Sequence, residues 1–241
     1  MKNFKSLFII VFLFTFSFSV GASQIYVDNT IINIKSKEEA KTVSIKKINN
    51  QKNVYVSTFL REIKNPNEKS EYCLSFAESK KCKRVDNVED LGLITTPNKL
   101  VLGDKSFKKI RIYNLNENLS SEKVYRLEIL PVNNKKLESK NNHLALKIQM
   151  GYEVLIIVEP EKLKYSFNYK LEGNKLKINN SGNVNILFFE GKECNKEICR
   201  DLEVKRIYAG GHYNYDLKWE DSNVNINIMK GKKVENIIIE R

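Results

Sequence analysis

The stretch Leu144 to Pro160 (LALKIQMGYEVLIIVEP) constrains the fold more than any other part of the chain. Leu144, Leu146, Ile148 and Met150 alternate with Ala145, Lys147 and Gln149, the period-two pattern of a strand with one buried face. Past Gly151 the apolar run becomes continuous from Val154 to Val158, as in a strand covered on both faces, and Pro160 ends ladder pairing. One long strand therefore leaves a core at its C-terminal half and carries a row of aliphatic side chains elsewhere at its N-terminal half.

The rest of the chain repeats short strand patterns between polar turns. Ile25–Val27, Thr30–Ile34, Lys41–Ile48, Val54–Ile63, Lys108–Leu115 and Lys123–Val132 alternate or are rich in β-branched residues, and Leu93–Pro97 leads through Asn98–Leu102 into the turn Gly103-Asp104-Lys105. Between Cys73 and Asp90 no period is clear, and an extended hairpin or loop is expected there. A short polar link at Pro160–Lys164 marks a domain boundary, after which the pattern resumes in Lys164–Leu171, Lys175–Asn179, Val184–Glu190, Glu203–Ala209, Tyr213–Trp219, Val224–Met229 and Val234–Glu240. No segment has a convincing helical period. The expectation is all-β, with an immunoglobulin-like β-sandwich domain over 23–159 and a smaller one over 160–241.

Residues 1–22 read as an export signal. Lys2 and Lys5 precede an apolar run from Leu7 to Val20, and Val20-Gly21-Ala22 puts small residues before a cleavage point near Ser23. That run is short for a membrane span, so no stable membrane insertion is expected. The four cysteines fall into two close pairs, Cys73 with Cys82 and Cys194 with Cys199. An exported chain meets oxidising conditions, and each pair would close a short hairpin, so local disulfides are expected. The rival reading is a structural zinc site, although neither spacing is C-x2-C.

The net charge of +12 would suit nucleic acid, anionic lipid or an acidic protein. The lysines are dispersed through nearly every segment, with no arginine cluster or basic block interleaved with aromatics, so no nucleic-acid partner is expected. Arg111 and Arg126 each read as a solvent-facing strand arginine or a sandwich-edge ion pair, and Tyr125 and Trp219 as packing aromatics. The two histidines, His143 and His212, lie in different expected domains, and G-x-S-x-G, H-E-x-x-H and phosphate-binding glycine loops are missing. Neither catalysis nor a cofactor or metal is expected.

Several stretches stand in an order that resembles the periplasmic chaperones of the chaperone–usher pathway, which assemble bacterial pili. They are the export signal; Thr95-Thr96-Pro97 with Leu100, Leu102, Gly103 and Arg111; Val124-Tyr125-Arg126 with Pro131-Val132; the alternating strand 144–158; Pro160; and Asn179-Asn180-Ser181-Gly182-Asn183-Val184. The Val124-Tyr125-Arg126 and Ser181-Gly182-Asn183-Val184 variants lean toward the divergent alternate branch that builds colonisation-factor fimbriae. The resemblance implies a periplasmic protein that lends a strand to pilus subunits, through Leu144, Leu146, Ile148 and Met150, and hands them to an outer-membrane usher. It leaves open a homodimer that caps its own exposed strand. The family's two basic residues for a subunit carboxylate fall here at Ile31 and Leu155, neither of them basic; Lys35, Lys37, Lys147 and Arg126 are the candidates to replace them. An exported pilus subunit, or another secreted β-sandwich binding protein, is the alternative.

Overall fold

The computed structural model describes residues 25–35, 40–48, 53–68, 72–76, 82–103, 107–132 and 150–240. The export signal expected over 1–22, and with it Leu144, Leu146 and Ile148 of the alternating row, lies outside the described residues. The chain is all-β and forms two sandwiches in series. The first contains β1 (Ile25–Val27), β2 (Ile31–Lys35), β3 (Ala40–Lys47), β4 (Val54–Ile63), β5 (Cys73–Ser75), β6 (Cys82–Arg84), the helical turn α1 (Val88–Leu91), β7 (Leu93–Thr96), β8 (Lys99–Leu102), β9 (Phe107–Asn114), β10 (Lys123–Val132) and β11 (Tyr152–Glu159).

One sheet runs β1-β3-β9-β7 and the other β2-β11-β10-β4-β5-β6, with β8 also pairing to β4. Alternation decides what each strand buries. Val43 and Ile45 of β3 and Ile110 and Ile112 of β9 meet Leu127 and Ile129 of β10 and Val154, Ile156 and Val158 of β11 in one core. Each such side chain contributes about 1.5–3 kcal/mol on leaving water. β4 is long enough to serve two neighbours, pairing β8 at Val54–Ser57 and β5 at Arg61–Ile63.

The crossing from α1 to β7 is fixed by Tyr125. This buried side chain donates its hydroxyl to Leu91 O at 2.8 Å and accepts from Asn116 Nδ2 at 3.2 Å. Burial pushes its pKa far above the usual phenol value. Gly92 closes α1 in the left-handed region (φ +75°), and a Cβ there would stand 2.2 Å from Asn116 Oδ1. Only glycine satisfies both demands.

The second sandwich contains β12 (Phe167–Glu172), β13 (Lys175–Asn180), β14 (Ile186–Asn195), β15 (Ile198–Asp201), β16 (Lys205–Ile207), β17 (His212–Asp216), β18 (Asn223–Lys230) and β19 (Lys233–Ile239). Sheets β12-β13-β17 and β15-β14-β18-β19 enclose a separate core around Ile178, Phe188, Tyr215, Ile226 and Ile228.

Three features differ from the sequence reading. Residues 88–91 form a helical turn, too short to show a period. β15 is an added strand: the Cys194–Cys199 disulfide pins it to β14 at directly opposed positions. The Cys73–Cys82 disulfide joins β5 and β6, but these run parallel, Cys73 opposite Cys82 and Ser75 opposite Arg84, so the pair does not close a hairpin. All four cysteines are in disulfides, which removes the zinc alternative. Among the described residues no helix is long and apolar enough to cross a membrane.

Glu193 holds the second sandwich together beside its disulfide. Its fully buried carboxylate accepts Lys218 N–H at 2.8 Å, Trp219 N–H at 3.0 Å and Arg200 Nε at 2.5 Å. Burial alone would raise its pKa, but the Trp219, Arg200 and Lys218 donors outweigh burial and hold it below the ordinary 4.5. A depressed folded pKa stabilises above the unfolded value and is lost as pH falls through the folded one. Glu193→Ala should therefore cost on the order of 3 kcal/mol at pH 7 in urea unfolding, and the gap from wild type should narrow only below pH 4.5.

Candidate functional site

β11 is the strand on which the site is built. Its Tyr152–Val158 segment is antiparallel to β10, with Tyr152 opposite Ile129 and Val158 opposite Lys123. On its other edge β2 runs parallel, but only from Ile31 opposite Leu155 to Lys35 opposite Glu159. Among the described residues, Tyr152, Glu153 and Val154 thus lie beyond the reach of β2. A strand edge of this kind keeps backbone groups available to another strand.

Just ahead of β11, Gly151 lies against Leu130: a Cβ there would meet Leu130 Cδ2 at 2.3 Å and Ile129 O at 3.1 Å. Glycine lets the chain pass close over β10 at this point. Met150, described at the start of this turn, is 51% exposed. The other three residues of the expected donor row cannot be placed beside it, since they lie outside the described residues.

The outward face of the sheet, toward which Gly151 lies, is apolar at this end of β11. Val132 of β10 is opposite Tyr55 of β4, which is opposite Val101 of β8, and all three side chains are exposed, as is Leu130. Further along this face the surface is ionic: Arg61 pairs with Glu128 and, at 2.6 Å, with Glu153, which also takes Arg126 at 3.0 Å. The two arginines sit directly opposite one another on β4 and β10, and the two carboxylates between them hold the pair of like charges. Beyond the quartet comes a small apolar floor of Ile63, Cys73, Cys82 and Val124, against which Leu155 and Tyr208 pack.

Tyr208 belongs to the second sandwich, so this floor is where the two meet. Asn183 is the main tie. Its side chain accepts Lys164 N–H at 2.7 Å and donates to Lys162 O at 2.9 Å and Ser120 O at 3.2 Å, and its carbonyl takes Glu122 N–H at 2.9 Å. Gly182 beside it is required, since a Cβ would stand 2.2 Å from Lys164 O. Glu122 then accepts Asn185 Nδ2 at 2.6 Å and Ala209 N–H at 2.9 Å. Asn67 accepts Tyr208 N–H at 2.9 Å and fills the space where a Cβ on Gly211 would go.

The sequence candidates for a basic anchor separate in space. Ile31 and Leu155 are register partners on β2 and β11, and both are uncharged. Arg126 faces Leu155 from the adjacent strand, within the ionic quartet. Lys35 lines a different cleft of about 750 Å³ between the sandwiches, with Lys41, Tyr165, Lys230, Lys232 and Lys233. Lys37 and Lys147 lie outside the described residues. Sequence reasoning missed Glu122 and Asn67, because a carboxylate or an amide in a polar turn carries no signal of the partner that will cover it.

Burial raises the pKa of Glu122, against the lowering action of Asn185, the Ala209 N–H and Arg206. A raised folded value adds stability that is complete below the unfolded pKa and fades as pH rises through the folded one. Relative to Glu122→Gln, wild type should therefore lose stability from pH 4.5 to 7, opposite in sign to Glu193, as read by urea unfolding at both pH values. Glu122→Ala should cost about 2 kcal/mol and loosen the angle between the sandwiches, seen as a larger radius of gyration.

No family model matches the chain. A CS1 fimbrial subunit from Escherichia coli is 30% identical over 166 residues, a match that spans 66% of this chain and 65% of that protein. Among solved structures, the class 5 fimbriae chaperone CfaA superposes with a TM-score of 0.65 at 21% identity, over 90% of this chain and 98% of that one. The SafB chaperone, solved in complex with the SafA pilin of Salmonella enterica, superposes with a TM-score of 0.62 at 11% identity, over 90% and 97% of the two chains. The solved structures named here are of fimbrial chaperones, and the chain shares their two-domain immunoglobulin-like fold.

Proposed function

We propose that this protein is a periplasmic chaperone that binds pilus subunits by donating a strand and delivers them to an outer-membrane usher. The observation that carries the reading is the state of β11: it is held by β10 from Tyr152, left open by β2 before Leu155, and preceded by an alternating apolar row whose last member, Met150, is exposed. In this reading Leu144, Leu146, Ile148 and Met150 are the side chains offered to a subunit that lacks a strand. The exposed row Val132, Tyr55 and Val101, on the outward face of the same sheet, offers further apolar surface beside that edge. Backbone pairing supplies affinity that tolerates many sequences, and the alternate side chains fill pockets. The mature chain runs from Ser23, with a subunit-binding domain to Glu159 and a smaller domain over 160–241.

An exported pilus subunit is the second reading, favoured by the name of the 30% identical relative. Against it, superposition on two-domain chaperones spans nine-tenths of this chain, and the second sandwich carries its own last strand, β19, paired along its length with β18.

Co-purification from the periplasm with the products of neighbouring genes tests the proposal. Ile148→Asp should weaken subunit retention by about two orders of magnitude, because a carboxylate replaces an aliphatic group worth about 1.5–3 kcal/mol when buried. Its melting temperature should stay within a few degrees of wild type. Unfolding of the variant would place the row in the protein's own core and sink the proposal, as would wild type retaining no subunit.

A further inference from the structure

The outward face of the sheet β1-β3-β9-β7 is on the far side of the first sandwich from β11, and nothing in the proposed function uses it. Its side chains follow from register. Tyr26 of β1 is opposite Lys46 of β3, which is opposite Phe107 of β9; Ser44 is opposite Lys109, Thr42 opposite Arg111 and Ala40 opposite Tyr113. Lys46, Lys109 and Arg111 are exposed, and none of them has an ion-pair partner among the described residues. Aromatic rings bracket the cations: Tyr26 is 51% exposed, Phe107 64% and Tyr113 38%. Ala40, Thr42 and Ser44 are small, so nothing tall stands between the cations. The one carboxylate in these rows, Asp28, is engaged by the Ser44 N–H at 2.9 Å.

From Phe107 to Tyr113 this face is about 20 Å long, and β1, β3 and β9 with β7 make it roughly 15 Å wide. That is on the order of 300 Å², well under the roughly 800 Å² per partner of a stable protein–protein interface. A flat, small surface of cations that have no ion-pair partner among the described residues, rimmed by aromatics, instead matches the membrane–water interface, where cations meet anionic headgroups and aromatic rings sit at headgroup level. We propose that this face docks the protein peripherally and reversibly on an anionic lipid bilayer. The inference rests on the proposed export to a compartment bounded by membranes. Because the face is opposite β11, a docked molecule would keep its strand edge pointing away from the lipid.

Sedimentation of the mature chain with sucrose-loaded vesicles tests this. Vesicles of phosphatidylcholine with roughly a third phosphatidylglycerol should retain the protein, phosphatidylcholine alone should not, and added salt should weaken retention. Each cation at an anionic surface multiplies partition about fivefold. The triple replacement Lys46→Gln, Lys109→Gln, Arg111→Gln should therefore lower partition about a hundredfold, and Lys109→Gln alone about fivefold. A charge-matched control, Lys175→Gln, Lys192→Gln, Lys196→Gln, removes three exposed cations of the second sandwich and should retain most binding. Equal losses in the two triple variants would assign the effect to overall charge and overturn the proposal. So would failure of wild type to sediment with the anionic vesicles, including the case in which the same face retains an acidic protein. Vesicle binding is read without any pilus subunit present, so its failure is distinct from failure of strand donation.

Discussion

Backbone hydrogen bonding along β11 is the constraint on which the rest of the molecule depends. A central strand must satisfy its N–H and C=O groups on both edges or leave them to a partner. β10 covers one edge throughout, while β2 covers the other only from Leu155 onward. That partial cover follows from the N-terminal segment being shared: β1 adds to the opposite sheet, and only β2 crosses to pair with β11. The open edge, the close passage at Gly151 and the exposed apolar row across β10, β4 and β8 all lie at the end of β11 that β2 does not reach.

The second constraint is the fixed seat of the smaller sandwich. A loose joint would need few cross-links, and here the turn Asn180–Asn183 makes several at once. Asn180 is buried and donates to Val184 O and Ile207 O, shaping the turn from within. Asn183 then faces outward to bind the linker at Lys162 and Lys164 and the loop ahead of β10 at Ser120. The apolar floor around Ile63 and Val124 is consequently roofed by Tyr208. The second sandwich acts as one wall of the cleft that adjoins β11.

Much of the fold was legible because period-two alternation and polar turns state strand existence directly. β3, β4, β9 and β10, and β18 in the second sandwich, lie where alternation puts them. What stayed hidden depended on contacts distant in sequence. The parallel run of β5 and β6 is set by a disulfide whose spacing fits a hairpin equally well. Glu122 and Asn67 look like ordinary turn residues until Ala209 and Tyr208 are brought onto them. The basic and aromatic face was invisible for the same reason: Lys46, Lys109 and Arg111 are dispersed along the chain, and only the pairing of β3 with β9 gathers them.

The parallel pairing of β2 with β11 also governs when the first sandwich can close. Ile31 meets Leu155 across more than a hundred residues of intervening chain, a contact that local structure cannot form early. Nearly all of the first domain must therefore have been synthesised before β2 finds its partner. The segment proposed to engage a subunit is synthesised just ahead of β11, so under that proposal the sandwich would close its own fold beside, and just after, the stretch it offers to another chain.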